Sequence, residues 1–300
     1  MSVQTSSAIP PIHRSENLVR VACIQTKVKL KDIDFNLEKV KLSIAEAASH
    51  DAELMVLPEL FTTGYTFQNR KEVYSYSEPV PEGTTSQFLI EQSKRYSAYI
   101  AGSIIEREGD DLYNCSILTG PDGFIGKYRK LHLCGDEIYW MEPGNLGIPV
   151  FHTKIGRISM LICLDGFYPE TYRLCALQKA DIICVSTNWS HVKALPVPYK
   201  TMGPTLTMAN ALSNHIFIAA TTRVGSEPGL DYPGQSIIAG VNGGPLAGPA
   251  PDTETIIYAD CNLADTRKRY LDSTNSRLGN RRTDLYDEFL GYKFCLWKHT

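Results

Sequence analysis

Two apolar patterns alternate along the chain: short unbroken runs closed by turn residues, and longer segments whose apolar positions recur every three or four residues. They are the marks of buried strands and amphipathic helices. Val19 to Ile24 predicts a buried strand. From Phe35 to His50, Leu37, Val40, Ile44 and Ala47 fall on one helical face. Leu54-Met55-Val56-Leu57 is too short for a helix and is ended by Pro58, so it predicts a strand. A helix over Thr85 to Tyr96 and a strand over Tyr99 to Ile105 repeat the rhythm. Tyr113 to Thr119 and Phe124 to Tyr128 then flank the turn Gly120-Pro121-Asp122-Gly123. The second half follows the same order. Strand Ile155 to Ile162 leads to a helix over Pro169 to Gln178, strand Asp181 to Ser186, helix Lys200 to Ser213 and strand Ile216 to Thr221. Strands near Gln235 to Ala239 and Thr255 to Cys261 close the series. Strands and helices sharing one core predict an α/β sandwich whose helices cover the outer sheet faces.

Composition narrows the class. The chain has 300 residues, 43% hydrophobic and 21% charged, with a formal net charge of -3. That balance gives no electrostatic basis for binding nucleic acid or an anionic membrane, and no apolar stretch reaches bilayer-spanning length. Residues 1–17 are polar, include Pro10 and Pro11, and lack an apolar signal core. They are expected to form a flexible arm ahead of a single domain over 18–300. Eight cysteines contain no Cys-x-x-Cys pair, so neither a zinc ribbon nor a thioredoxin-type site is suggested. Cys23 and Cys184 sit inside apolar runs and read as core. A reduced, cytoplasmic protein is expected. The aromatic-rich stretch Phe289 to Trp297 fits packing on a partner subunit and packing on its own domain equally well.

Four positions carry candidate chemistry. Cys163 ends the apolar strand Ser159-Met160-Leu161-Ile162, and Pro169 soon opens a helix. A strand–turn–helix junction projects a side chain into a cleft, where backbone N–H groups can hold an oxyanion. The helix N-terminus is expected to lower the thiol pKa. Glu59, in Leu57-Pro58-Glu59-Leu60, stands just past a strand end, where a carboxylate can act as a general base. Lys130 lies in the basic run Lys127-Tyr128-Arg129-Lys130-Leu131-His132, and Glu137 in Asp136-Glu137-Ile138-Tyr139-Trp140. Taken singly, each has a bland alternative: a core cysteine, a solvated loop carboxylate or ion-pair member, a solvated strand end.

Taken together, Leu57-Pro58-Glu59-Leu60, Tyr128-Arg129-Lys130-Leu131-His132, Ile162-Cys163-Leu164-Asp165 and Tyr168-Pro169-Glu170 resemble the nitrilase (carbon–nitrogen hydrolase) superfamily in order and spacing. The resemblance runs from about Val19 to Tyr286. It includes Pro143-Gly144, Ser186-Thr187-Asn188-Trp189, Gly234-Gln235-Ser236-Ile237-Ile238 and Arg281-Arg282-Thr283-Asp284-Leu285-Tyr286. It implies a four-layer αββα sandwich, usually dimerised through the helix after the cysteine. Cys163 would be the nucleophile, Glu59 the general base and Lys130 the cation beside the oxyanion. Glu137, Leu164, Asn188 and Trp189 would position the substrate, with Leu164 supplying a backbone N–H. The implied reaction, hydrolysis of a small amide or nitrile through a thioester, needs no metal or organic cofactor.

Within that resemblance, true nitrilases follow the cysteine with Trp-Glu, whereas this chain has Leu164-Asp165. Cys163-Leu164-Asp165-Gly166 and Tyr168-Pro169-Glu170 look more like aliphatic amidases and formamidases. The expected activity is therefore an amidase, with a nitrilase as runner-up and an N-carbamoyl amide hydrolase third. Gly166 and Phe167 offer no side-chain donor to a substrate carboxylate, although Arg173 has the length to reach in from the helix. Two rivals come from other classes: a papain-like hydrolase using His132 or His215 as base, and a catalytically silent binding or scaffold protein.

Overall fold

A computed structural model describes residues 18–191, 199–268 and 274–290. The expected arm at 1–17 and the C-terminal aromatic stretch beyond Leu290 lie outside the described residues. In chain order the strands are β1 (Leu18–Gln25), β2 (Leu54–Val56), β3 (Tyr99–Glu108), β4 (Asp111–Gly120), β5 (Gly123–Arg129), β6 (Val150–Thr153) and β7 (Gly156–Ile162). There follow β8 (Ile182–Ser186), β9 (Phe217–Thr221), β10 (Val224–Glu227), β11 (Leu230–Pro233), β12 (Ile237–Ala239), β13 (Pro245–Ala247) and β14 (Thr255–Asn262). The α-helices are α1 (Ile33–Ser49), α2 (Arg70–Ser75), α3 (Thr84–Tyr96), α4 (Glu137–Trp140), α5 (Pro169–Leu177), α6 (Gly203–Asn214) and α7 (Thr283–Leu290).

Twelve of the strands build two six-stranded sheets, ordered β14-β1-β2-β3-β4-β5 and β13-β12-β9-β8-β7-β6, while β10 and β11 form a separate hairpin. Each sheet has three parallel strands at its centre, β1-β2-β3 and β7-β8-β9, with antiparallel neighbours outside. The central strands read as unbroken apolar runs because both of their faces are covered. Leu54 and Val56 of β2 point into the layer between the sheets, against residues such as Met160 and Cys184. Met55 and Leu57 point the other way, onto Leu37, Val40 and Ile44 of α1. Helices α1 and α3 cover the first sheet and α5 and α6 the second, giving four layers, αββα.

The sequence reading located most of these elements and misplaced a few. The strand expected from Ile155 is a hairpin, β6 and β7, turning at Lys154–Ile155 ahead of Gly156, whose φ of +144° suits glycine. Helix α6 starts at Gly203 rather than Lys200. No periodic signal marked α2, α4, β10, β11 or β13, all six residues or fewer.

What matters for the site is where the parallel strands end. Their carboxyl ends in the two sheets meet and are stitched together. Ser186 Oγ donates to the Leu57 carbonyl (2.9 Å), the Glu59 N–H to the Thr187 carbonyl (3.3 Å), and Asn188 Nδ2 to the Glu59 carbonyl (3.0 Å).

Candidate active site

The local chain path fixes the nucleophile candidate. After β7 the chain turns sharply: Cys163 has φ +44°, the left-handed region, and the 3₁₀ turn Cys163–Phe167 follows. A non-glycine residue held there costs roughly 1–2 kcal/mol, so its surroundings must hold it. Asp165 does so. Its Oδ2 accepts from the Ile162 N–H (3.0 Å) and the Tyr128 hydroxyl (2.6 Å), and its Oδ1 from the His132 N–H (3.1 Å) and Nδ1 (2.8 Å). The aspartate that follows Leu164 thus ties the cysteine turn to the end of β5, where Lys130 begins.

Lys130, Glu59 and Glu137 form one buried cluster. Lys130 Nζ donates to Glu59 Oε1 and to Glu137 Oε2, both at 2.7 Å. Asn114 Nδ2, from the middle of β4, bridges Glu59 Oε1 (2.7 Å) and Glu137 Oε1 (2.8 Å). Glu137 Oε2 also accepts from the Cys134 N–H (2.7 Å). Lys130 is fixed at its backbone by Asn114 and by Gly144, whose N–H donates to the Lys130 carbonyl (2.8 Å). A Cβ on Gly144 would lie 2.1 Å from the Arg129 carbonyl oxygen, which explains the glycine of Pro143-Gly144. One lysine shared by two carboxylates leaves the cluster a net negative charge when both are ionised. Burial raises the Glu59 carboxyl above its ordinary range, with Lys130 opposing and Glu137 adding to the shift. Burial by itself would lower Lys130, but Glu137 and Glu59 outweigh it and hold the ammonium well above its ordinary value.

Glu59 and Cys163 both line a cavity of about 200 Å³, whose walls are otherwise largely apolar: Leu164, Phe167, Trp189, Met202, Leu230 and Tyr232 among them. The thiol departs from the sequence expectation. Burial, and then the charge of Glu59, push Cys163 well above the ordinary thiol range, against Lys130 and the Asn188 backbone N–H. The helix N-terminus does not win, because α5 begins only at Pro169, beyond the 3₁₀ turn. Cys163 is therefore a neutral thiol at rest. Glu59 Oε2 is buried with no hydrogen-bond partner among the described residues, while Oε1 holds Lys130 and Asn114. Two of the three Lys130 N–H donors serve carboxylates, and the ammonium lies over the Tyr65 ring, 5.8 Å from its centroid.

All the sequence-expected site residues meet here. Glu59, Cys163, Leu164, Asn188 and Trp189 line the cavity; Lys130 and Glu137 are bonded to Glu59 or to its partners. Tyr65, Cys134 and Tyr232 are wall residues that the sequence reading missed, as it missed Asn114 and the tethering role of Asp165. Asn114 was detectable as a polar residue inside the apolar run of β4. Arg173 does not reach the cavity; its guanidinium donates to the Ser213 carbonyl (3.2 Å) and the Arg277 carbonyl (3.4 Å). The papain-like alternative finds no support: His132 is bonded to Asp165 and stacked on Tyr168 at 3.7 Å, and His215 meets Asp265 and Arg277. No histidine is among the described wall residues. Among the described residues, no group of His, Cys, Asp and Glu is arranged to hold a metal ion, and no helix is long and apolar enough to cross a membrane.

Trp189 owes its position to a glycine. A Cβ on Gly203 would lie 1.9 Å from Trp189 Cε3. Gly203→Ala should drive the ring off this contact, costing about 1–3 kcal/mol as overpacking and lowering kcat/KM through a reshaped wall. Thermal unfolding beside kinetics checks it; an alanine variant equal to wild type in both would show that the ring is not held there.

The carbon–nitrogen hydrolase family model matches residues 20–270. A nitrilase from Pyrococcus abyssi is 36% identical over 269 residues, spanning 90% of this chain and 99% of its own. A 2-oxoglutaramate amidase from Bacillus subtilis is 30% identical over 251 residues, spanning 82% and 92%. In fold, a carbon–nitrogen hydrolase from Helicobacter pylori superposes with a TM-score of 0.80 at 23% identity, over 91% of this chain and 98% of that one. The chain belongs to the carbon–nitrogen hydrolase family, within the nitrilase superfamily. It is a carbon–nitrogen hydrolase.

Proposed function

We propose that the protein is a small-amide amidase that releases ammonia and a carboxylic acid through a thioester on Cys163. The observation that carries this reading is the bare Glu59 Oε2 and the Cys163 thiol lining one cavity, with Glu59 held by one shared lysine. Glu59 Oε2 takes the thiol proton as Sγ attacks the amide carbon, and the carbonyl electron pair moves onto oxygen. The Lys130 ammonium and the Leu164 N–H stabilise that oxyanion. Its collapse expels the amine, which receives the proton held by Glu59 and leaves as ammonia. Glu59 then takes a proton from water attacking the thioester, and the second collapse returns the thiol and the acid. Glu137 and Asn114 hold Lys130 and Glu59 in register throughout.

Two features favour an amide over a nitrile. Leu164-Asp165 stands in place of Trp-Glu, and Asp165 is spent on holding the turn. Asn188, whose Nδ2 is committed to the Glu59 carbonyl, keeps a buried Oδ1 without a partner among the described residues. An amide NH₂ offers that oxygen a donor; a nitrile has none. The nitrilase reading is kept second because the Pyrococcus relative bears that name. The carbamoyl reading is third, since the described walls carry no lysine or arginine. The expected result is a higher kcat/KM for an amide than for its matched nitrile. A tenfold nitrile preference, about 1.4 kcal/mol, would move the protein to the second reading. Cys163 that alkylates normally in a protein releasing no ammonia from any of the three classes would favour the silent scaffold. The implied homodimer and the cytoplasmic setting belong to the proposal: α5 and α6 expose Leu174, Leu177 and Leu212, and the described cysteines are all free.

A further inference from the structure

Among the wall residues, Tyr232 stands out by what its hydroxyl lacks. It sits on β11, with its side chain almost wholly buried, and its oxygen has no hydrogen-bond partner among the described residues. Leaving a buried hydroxyl unmade costs about 1–3 kcal/mol, so such an atom persists where a ligand supplies the partner. The ring is held from behind. The Arg223 guanidinium lies over it at 4.5 Å, and Arg223 is itself fixed by Glu227 and by the Val28 carbonyl (2.8 Å). Glu227 in turn accepts from the Tyr65 N–H (3.0 Å) and the Thr66 N–H (2.9 Å), so the hairpin clamps the loop that follows Glu59. The position of Tyr232 is thus tied to that of the base.

We propose that the Tyr232 hydroxyl is a further substrate-positioning group, donating a hydrogen bond to the carboxamide oxygen of the bound amide. The substrate class rests on the amidase reading; the hydrogen bond does not need turnover to be seen. Burial, and then the charge of Glu227, hold the phenol above its ordinary range against the opposing charge of Arg223, so the O–H is retained at any working pH. A neutral phenol is a donor that orients the carbonyl without competing with Glu59 for the thiol proton.

The test uses Tyr232→Phe, which keeps the ring on Arg223 and removes only the oxygen. Cys163 is modified in parallel by iodoacetamide, which alkylates the sulfur with loss of iodide and carries a carboxamide, and by methyl methanethiosulfonate, which forms a methyl disulfide with loss of methanesulfinate and carries none. The expected result is iodoacetamide slowed about three- to tenfold, the worth of one neutral hydrogen bond, with the second reagent unchanged. The kcat/KM for a small primary amide should fall by a similar factor. Equal slowing of both reagents would mean a merely structural tyrosine, and no slowing of either would mean no contact; each overturns the proposal. If selective slowing appears while no amide is turned over, Tyr232 stands and the amidase reading fails. If amides are turned over and the variant matches wild type with every probe, the reverse holds.

Discussion

Cys163→Ala is expected to abolish ammonia release and thioester formation while leaving the fold intact. The loss should be on the order of 10⁶ in kcat, the size seen when a nucleophile is removed from a covalent catalyst. The fold should survive because the turn is held by its neighbour: the bonds of Asp165 to Ile162, Tyr128 and His132 do not involve the sulfur. Alanine replaces one left-handed non-glycine residue with another, so the backbone cost is unchanged. Intact-mass measurement on mixing with an amide should show acyl-enzyme for wild type and none for the variant, with similar thermal unfolding. Cys134, the other thiol in the wall, is the control: Cys134→Ala should keep turnover. A folded Cys163→Ala protein with wild-type turnover would sink the mechanism.

Lys130→Met is expected to damage catalysis and stability together. The methionine fills the volume but removes the charge that the proposed mechanism sets against the developing oxyanion, a loss worth about 10²–10³ in kcat. It also leaves Glu59 and Glu137 buried beside each other with only Asn114 between them. Breaking a buried ion pair on one side costs roughly 3–5 kcal/mol. The bland alternative for this residue, a solvated strand end, fails because Lys130 is buried and shared by two carboxylates. The sign of the pH effect identifies the cause. Glu59 is already raised above its ordinary value of 4.5, and losing Lys130 raises it further. A carboxyl raised in the folded state adds stability below its unfolded pKa, and that stability is lost as pH climbs through the folded value. The deficit of the variant should therefore shrink from neutrality toward pH 5. Thermal unfolding of both proteins across that window measures it, and a deficit independent of pH would rule out an uncompensated carboxylate pair.

Much of this was legible in the sequence for a simple reason. The central strands are buried on both faces, so each appears as an apolar run, and three of the four candidate residues stand just beyond strand ends. Cys163 follows Ile162, Glu59 follows the β2 run and Lys130 follows Arg129. What escaped notice depends on contacts between distant segments. Asn114 matters because it bridges Glu59 and Glu137, from 55 and 23 residues away. Tyr65 and Tyr232 are ordinary aromatics until the hairpin of β10 and β11 folds onto the loop after Glu59. The hairpin itself left a faint mark, Pro228-Gly229 with Gly229 at φ +81°, but strands of four residues carry too little alternation to register. The thiol pKa was misjudged because a helix start is visible in sequence, whereas burial and the neighbouring Glu59 charge are not.

The meeting of strand ends from opposite sheets has a consequence for how activity is lost. Cys163 and Glu59 are each rigid within their own ladder, and the ladders are joined at this end by a handful of hydrogen bonds: the three at Leu57, Glu59 and Asn188, and those of Asp165 to Tyr128 and His132. A sliding of one layer over the other by an ångström would break no strand pairing, yet it would part sulfur from carboxylate, and misplacement of that size can cost about 10² in rate. Turnover is thus a gauge of alignment between halves, more sensitive than any measure of secondary structure. Under rising temperature or urea, inactivation should run ahead of the loss of circular dichroism. Apolar substitutions in the middle layer, far from the cavity, then become tuning screws for the reaction.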